Sequence, residues 1–246
     1  MAKTLILIPS RMAATRLPGK PLLKINNLSI VSHVFKRAEE ANIGEVVVAT
    51  EDQDIIADVQ KNGGRAVLTS KDHKTGTDRI FEAYKKLNIK NVDYILNLQG
   101  DEPDINKNDI IKLNNLMISN DSEIGTLAAK IQDDKMLNNK NVVKVIVEDT
   151  LEENNFPTAL NFTRDNLSID SQNIYHHIGI YSYKASVLEK FVGLDQTNNE
   201  KKNKLEQLRA LDNKLKINVA LARSSPIGVD TEEDYLAIKK IMEYKT

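Results

Sequence analysis

The sequence predicts an α/β fold: a doubly wound, mostly parallel, Rossmann-like sheet with a smaller mixed-sheet extension. Three observations predict it. Short β-branched and aliphatic runs alternate with segments of helical period through the first half of the chain, and turn residues separate them. After Gly125 the apolar runs follow one another with little helix between them. Strict alternation signals βαβ units and a parallel sheet covered by helices on both faces. The length, 246 residues, suits one domain, within which residues 125–225 read as the extension.

Thr4 to Ile8 is an aliphatic run that stops at Pro9 and reads as a fully buried first strand. Pro9 to Pro21 is a long loop. Ser29 can cap a helix in which Ile30, Val31, Val34, Phe35 and Ala38 recur at helical spacing. Glu45 to Thr50 is the second strand. Asp52 caps a helix running to about Lys61, which Asn62-Gly63-Gly64 ends. Ala66 to Thr69 is the third strand, Thr77 to Leu87 a helix, Tyr94 to Leu98 the fourth strand and Asn106 to Ile118 a helix. In the extension Thr126–Ile131, Val142–Val147, Thr158–Phe162 and His177–Tyr183 read as strands. Leu205 to Leu211 and Thr231 to Tyr244 read as helices, and the polar stretch Gln196–Lys204 as an exposed loop. Ligands of open parallel sheets bind beyond the carboxyl ends of the strands. The segments Pro9–Lys20, Glu51–Gln53, Ser70–Gly76 and Gln99–Pro103 are therefore where the chemistry is expected.

Composition narrows the function classes. At 41% hydrophobic and 28% charged residues the chain is globular rather than disordered. A net charge of -1 and the absence of an aromatic-basic platform argue against nucleic-acid binding. With no cysteine there is no disulfide framework, thiolate zinc site or cysteine nucleophile. The N-terminal apolar run is too short for a signal peptide and no segment approaches a membrane span, so a cytoplasmic protein with no membrane partner is expected.

The charge distribution is more informative than its sum. Residues 1–37 contain no acid, while Lys3, Arg11, Arg16, Lys20, Lys24, Lys36 and Arg37 are basic. In the loop IPSRMAATRLPGKPL, Arg11, Arg16 and Lys20 are held by Pro9, Pro18, Gly19 and Pro21. Two guanidiniums can fork onto phosphate oxygens while the lysine acts as a point charge. The small Ala13, Ala14 and Gly19 let backbone N–H groups approach a phosphate. Such a loop is also compatible with plain solvation, but its place after the first strand and the missing acids favour a triphosphate site. Neither a P-loop nor a G-x-G-x-x-G signature is present.

The loop SRxxxTRLPGKPL resembles the signature of the sugar-acid cytidylyltransferases. The resemblance continues in order through VVVATEDQDI, HKTGTDRI, NLQGDEP, HHIGIYSY, KLEQLRAL and GVDTEED, and is strongest to the 3-deoxy-manno-octulosonate cytidylyltransferases (CMP-Kdo synthetases). It implies a CTP site that includes Arg11, Arg16, Lys20 and Gln99, with Pro9, Ser10, Thr75 and Gly76 near the base. It assigns Asp101 and Asp230 to a magnesium ion, which prefers oxygen ligands and commonly takes one or two carboxylates beside phosphate and water. Read alone, Asp230 before Thr-Glu-Glu also suits a helix N-cap and Asp101 a turn before Pro103; Glu102, Glu232 and Glu233 are weaker candidates.

The resemblance further places the sugar acid against Gln99, His177, Tyr181, Glu206 and Gln207. Alternation puts His177, Gly179 and Tyr181 on one strand face. Taken alone, His177 and Tyr181 are equally readable as core, and Glu206 as a helix-surface partner of Arg209 or Lys202. The sequence departs from the family after Phe162-Thr163-Arg164: the expected proline and second arginine are missing from DNLSIDSQN, and Ser171 falls about where that arginine would be. Arg164 is then the candidate partner of the sugar's carboxylate. The implied reaction is CTP plus Kdo to CMP-Kdo and pyrophosphate, feeding lipopolysaccharide synthesis, by a homodimer. Activation of amino-Kdo or a sialic acid, and a silent nucleotide-binding module, are the alternatives.

Overall fold

A computed structural model describes residues 2–13, 16–131, 134–166, 173–223 and 225–244. The chain divides into two compact units, residues 1–111 with 226–246, and residues 112–225.

The first unit begins with β1 (Thr4–Ser10), whose Leu5, Ile6, Leu7 and Ile8 are fully buried. Such continuous apolar runs are what a strand covered on both faces requires. After the cationic loop and a 3₁₀ turn at Lys20–Leu22 come the small hairpin β2 (Lys24–Ile25) and β3 (Leu28–Ser29), then α1 (Ile30–Ala41). The Ser29 hydroxyl accepts from the Ser32 N–H at 3.2 Å, the expected N-cap. β4 (Gly44–Thr50), α2 (Gln53–Lys61), β5 (Ala66–Leu68), α3 (Gly76–Leu87) and β6 (Tyr94–Asn97) follow. β1 pairs in parallel with β4 and β6, and β4 with β5, giving the order β6-β1-β4-β5. The carboxyl ends of these strands therefore share one edge.

After α4 (Lys107–Ser119) the second unit holds β7 (Ile124–Ala129), α5 (Asp134–Leu137), β8 (Lys144–Val147), β9 (Ala159–Thr163) and β10 (Ile174–Lys184). β7–β10, β10–β8 and β8–β9 are antiparallel. α6 (Ala185–Val192), α7 (Asn198–Asn203), α8 (Leu208–Asp212) and β11 (Ile217–Leu221) complete it, β11 pairing in parallel with β7. The α/β class, the mostly parallel sheet and the mixed extension all match the expectation. α9 (Glu232–Tyr244) returns to the first unit, where Ile238 and Met242 pack with Ile25, Ile30 and Val229.

Two local expectations are corrected. Gln196–Lys204 is not simply a loop: it contains α7, because Thr197 caps it and Glu200 turns inward to a buried ion pair with Arg209. The helix expected from Leu205 starts at Leu208, after turns at 206–207. α6 and β11 were not expected.

Candidate functional site

A cavity of about 360 Å³ opens at the carboxyl edge of the first unit's sheet. Pro9, Ser10, Arg11, Arg16, Lys20, Thr75, Gly76, Gln99, Asp101 and Asp230 all line it. Every residue expected at the CTP or metal site is thus gathered in one place, from four separate stretches of chain.

Backbone fit explains the spacing of the floor. A Cβ on Gly100 would stand 2.8 Å from the Pro9 carbonyl oxygen, and one on Gly76 3.2 Å from Pro9 Cγ. Glycine at 100 is what lets the ends of β1 and β6 close together there, and Gly76 lets the start of α3 sit against Pro9 without displacing it. Thr75 caps α3, its hydroxyl accepting from the Asp78 N–H at 3.1 Å. The Ser10 hydroxyl is buried and has no hydrogen-bond partner among the described residues, which leaves a polar group at the wall for a ligand.

The two aspartates are brought together by the backbone. The Val229 N–H donates to the Asp101 carbonyl at 2.9 Å, so Asp230 follows directly beside Asp101. The N-cap role open to Asp230 is taken by Thr231: its hydroxyl accepts from the Asp234 N–H at 3.2 Å, and Asp234 in turn accepts from the N–H groups of Asp230 and Thr231. The Asp230 carboxylate is free of the helix. Lys20 Nζ lies 2.7 Å from Asp101 Oδ2 and 3.3 Å from Asp230 Oδ1, and Arg16 Nη2 is 2.9 Å from Asp230 Oδ2. One ammonium is shared by both carboxylates, so the pair fits a single cation between them. No third histidine or acid joins them among the described residues, and two carboxylates suit magnesium, which completes its shell with phosphate and water. Glu102 is a poor ligand: its carboxyl is buried, and burial together with Asp101 raises it to about 8.

Sequence reasoning missed His73, Lys74 and Arg79 on this wall. The signal was present, since they flank Thr75 and Gly76 within the motif HKTGTDRI, but a histidine and a lysine in a loop carry no periodicity. His73 pairs with Glu82, whose carboxyl is held at about 2; burial opposes this, and Lys86, the Ser70 N–H and His73 outweigh it.

The remaining candidates, apart from Gln99, belong to the second unit. The Tyr181 hydroxyl is 3.0 Å from His177 Nε2, and Thr126 Oγ1 is 3.1 Å from the same nitrogen. Simple alternation does not bring this about: the register of β10 against β7 shifts between Ile178 and Tyr181, a bulge that re-aims the side chains. Burial, then His176 and Arg164, lowers His177 to about 3, so its imidazole is neutral. Burial raises the Tyr181 phenol, and Tyr183 and the Glu206 charge add to it. Glu206 is half-buried with Oε1 3.5 Å from Arg209 Nη2, and Gln207 stands at the start of α8. Arg164 donates to the carbonyls of Lys140 (3.3 Å) and Asn141 (3.1 Å). Its own carbonyl accepts from the buried Lys144 at 3.2 Å. Ser171 and Ala14 lie outside the described residues.

The cytidylyltransferase family model matches residues 5–217. A 3-deoxy-manno-octulosonate cytidylyltransferase of Afipia carboxidovorans is 44% identical over 244 residues, covering 97% of this chain and 96% of that protein. Its counterpart in Rhodopseudomonas palustris is 44% identical over 243 residues, covering 98% of each. Among solved structures, a CMP:2-keto-3-deoxy-manno-octonic acid synthetase complexed with CTP superposes with a TM-score of 0.91 at 33% identity, covering 100% of both chains.

Proposed function

The chain belongs to the cytidylyltransferase family, and from that premise we propose that it is a CMP-Kdo synthetase. It joins CTP to 3-deoxy-manno-octulosonate and releases CMP-Kdo and pyrophosphate. The observation that carries the reading is the single cavity in which Arg11, Arg16 and Lys20 face Asp101 and Asp230. That is a polyanion site with its own pair of hard oxygen ligands.

The anomeric 2-hydroxyl of the sugar acid attacks the α-phosphorus of CTP, and pyrophosphate leaves. Two anions must be held together, so alignment and charge neutralisation are the protein's main work. Arg11, Arg16 and Lys20 bind the triphosphate, and Arg16 and Lys20 stabilise the departing pyrophosphate. Pro9, Ser10, Thr75 and Gly76 meet the base side of the nucleotide, and Gln99 serves both substrates. Asp101 and Asp230 would hold magnesium, which when bound supplies electrostatic stabilisation of the phosphates and acidifies the attacking hydroxyl. His177, Tyr181, Glu206, Gln207 and Arg164 contact the sugar acid. A neutral imidazole beside a phenol offers both donor and acceptor to a polyol.

The working enzyme is proposed to be a cytoplasmic homodimer supplying lipopolysaccharide synthesis, with no nucleic-acid or membrane partner. No helix among the described residues is long and apolar enough to cross a membrane.

Pyrophosphate release is measured with CTP, magnesium and Kdo, beside sialic-acid and acceptor-free controls. Release with Kdo alone is the expected result. Release with another sugar acid would keep the chemistry and change the substrate; CTP binding without release with any acceptor would sink the enzyme reading.

A further inference from the structure

The motif VVVATEDQDI carries two consecutive acids, Glu51 and Asp52, that do not line the cavity. Asp52 nonetheless reaches the cationic loop directly, and Glu51 reaches the other wall through Arg79 of α3, which itself lines the cavity. Asp52 stands at the N-cap position of α2, yet its side chain makes no capping bond there. Its Oδ2 instead accepts from the Met12 N–H at 2.8 Å, across 40 residues of sequence. Asp52 is itself pinned, its N–H donating to Thr50 Oγ1 at 3.1 Å. Met12 is the pivot of the cationic loop: its carbonyl accepts from the Gly19 N–H at 3.3 Å, closing the stretch that carries Arg16.

Glu51 reaches the opposite wall. It forms an ion pair with Arg79, whose side chain is only 3% exposed. Arg79 then donates to Thr69 Oγ1 at 2.7 Å and to the Ser70 carbonyl at 3.2 Å. One turn along α3, Glu82 accepts from the Ser70 N–H at 2.9 Å and pairs with His73. Both polar groups of the Ser70 backbone are thus held by neighbouring side chains of one helix, at the base of the loop leading to His73, Lys74 and Thr75.

We propose that Glu51 and Asp52 are positioning residues for the two ends of the nucleotide. Asp52 sets the triphosphate loop, and Glu51, through Arg79, sets the base-side loop. A carboxylate suits both tasks because it only accepts, and its bonds to an N–H or a guanidinium are charge-assisted. The two acids are consecutive just beyond β4, a strand paired on both sides, so the spacing of the two loops is fixed by a single peptide unit. The inference rests on the nucleotide reading of the cavity, with the base beside Thr75 and Gly76.

The test compares affinities for CTP and for CMP, which keeps the base and one phosphate and lacks the other two. Asp52→Ser leaves an oxygen able to cap α2 but too short to reach Met12. It is expected to weaken CTP about tenfold and CMP less than twofold, the size of one lost charge-assisted bond. Asp52→Asn keeps an acceptor and restores most of the CTP affinity. Glu51→Gln combined with Arg79→Met removes both charges together, so neither is left buried alone, and is expected to weaken CTP and CMP alike by about tenfold. Equal losses of CTP and CMP in Asp52→Ser, unfolding of that variant, or unchanged CMP binding in the double variant would each overturn the proposal. A wild-type protein that binds neither nucleotide would overturn the nucleotide reading beneath it.

Discussion

Lys20 bridges the two carboxylates proposed as metal ligands, 2.7 Å from Asp101 and 3.3 Å from Asp230, with only 12% of its side chain exposed. On the proposed reading its ammonium has two partners to choose between, the carboxylates and the triphosphate. Without nucleotide it competes with the metal for the same oxygens. Lys20→Met should therefore raise the affinity of the nucleotide-free protein for manganese about tenfold, read by the paramagnetic signal of free manganese, while weakening CTP. Unchanged or weaker manganese binding would remove Lys20 from the metal position. Asp101→Ala, at a loop and half-exposed, should keep the fold and lower turnover by roughly 100-fold or more; near-normal turnover would end its metal role. These residues were legible in sequence because their chemistry is local and dense: three cations and no acids in one loop, and an aspartate beyond a strand. Asp52 and Arg79 were not legible in these roles. An aspartate ahead of a helix reads as a cap, and only the fold shows its oxygen spent on Met12 instead.

Elements with strong period or buried apolar runs, β1, β4, α1 and α3, were legible because each carries its own burial pattern. α7 was not, since NNEKKN offers no apolar face. Tertiary contacts hold it: Asn199 Nδ2 donates to Asp212 Oδ1 at 3.2 Å, and Glu200 Oε1 and Oε2 accept from Arg209 Nη2 and Nε at 2.6 and 2.8 Å, both side chains being buried. Arg209 also lies over the Phe191 ring, 4.9 Å from its centroid, and 3.5 Å from Glu206. Glu200→Ala leaves that guanidinium without its main partner and should cost about 3–5 kcal/mol of stability. Because Arg209 also pairs with Glu206, the Kdo requirement should rise while the CTP requirement stays as it was. Parallel changes in both substrates would show that the pair acts on folding alone. The bulge in β10 was equally hidden. Alternation predicted that His177 and Tyr181 share a face, and they do meet, but through an irregularity that no period-two pattern encodes.

At the scale of the whole molecule, one part of the response of stability to acid follows from where its histidines are buried. His177 falls from 6.5 to about 3 because burial disfavours its charged form, with His176 and Arg164 adding to the effect. His33 and His176 are lowered too, burial again being the main cause. The unfolded chain takes up a proton at His177 as pH drops below about 6.5, while the native protein does not until near 3. The His177 contribution to stability is therefore complete above 6.5 and is lost progressively as pH falls toward 3. At pH 5 the His177 contribution amounts to about 2 kcal/mol. His177→Gln, neutral at every pH and still able to bond the Tyr181 hydroxyl, should flatten the curve by about that much between pH 7 and pH 5. Of the slope that remains, His33 and His176, lowered by burial, add to the loss in acid, while Glu102, raised to about 8 by burial and the Asp101 charge, opposes it. Urea unfolding of both proteins at the two pH values decides it: an identical loss in wild type and variant would mean that His177 is protonated in the native state at pH 5. That would also contradict the neutral donor–acceptor role that the sugar-acid reading gives it.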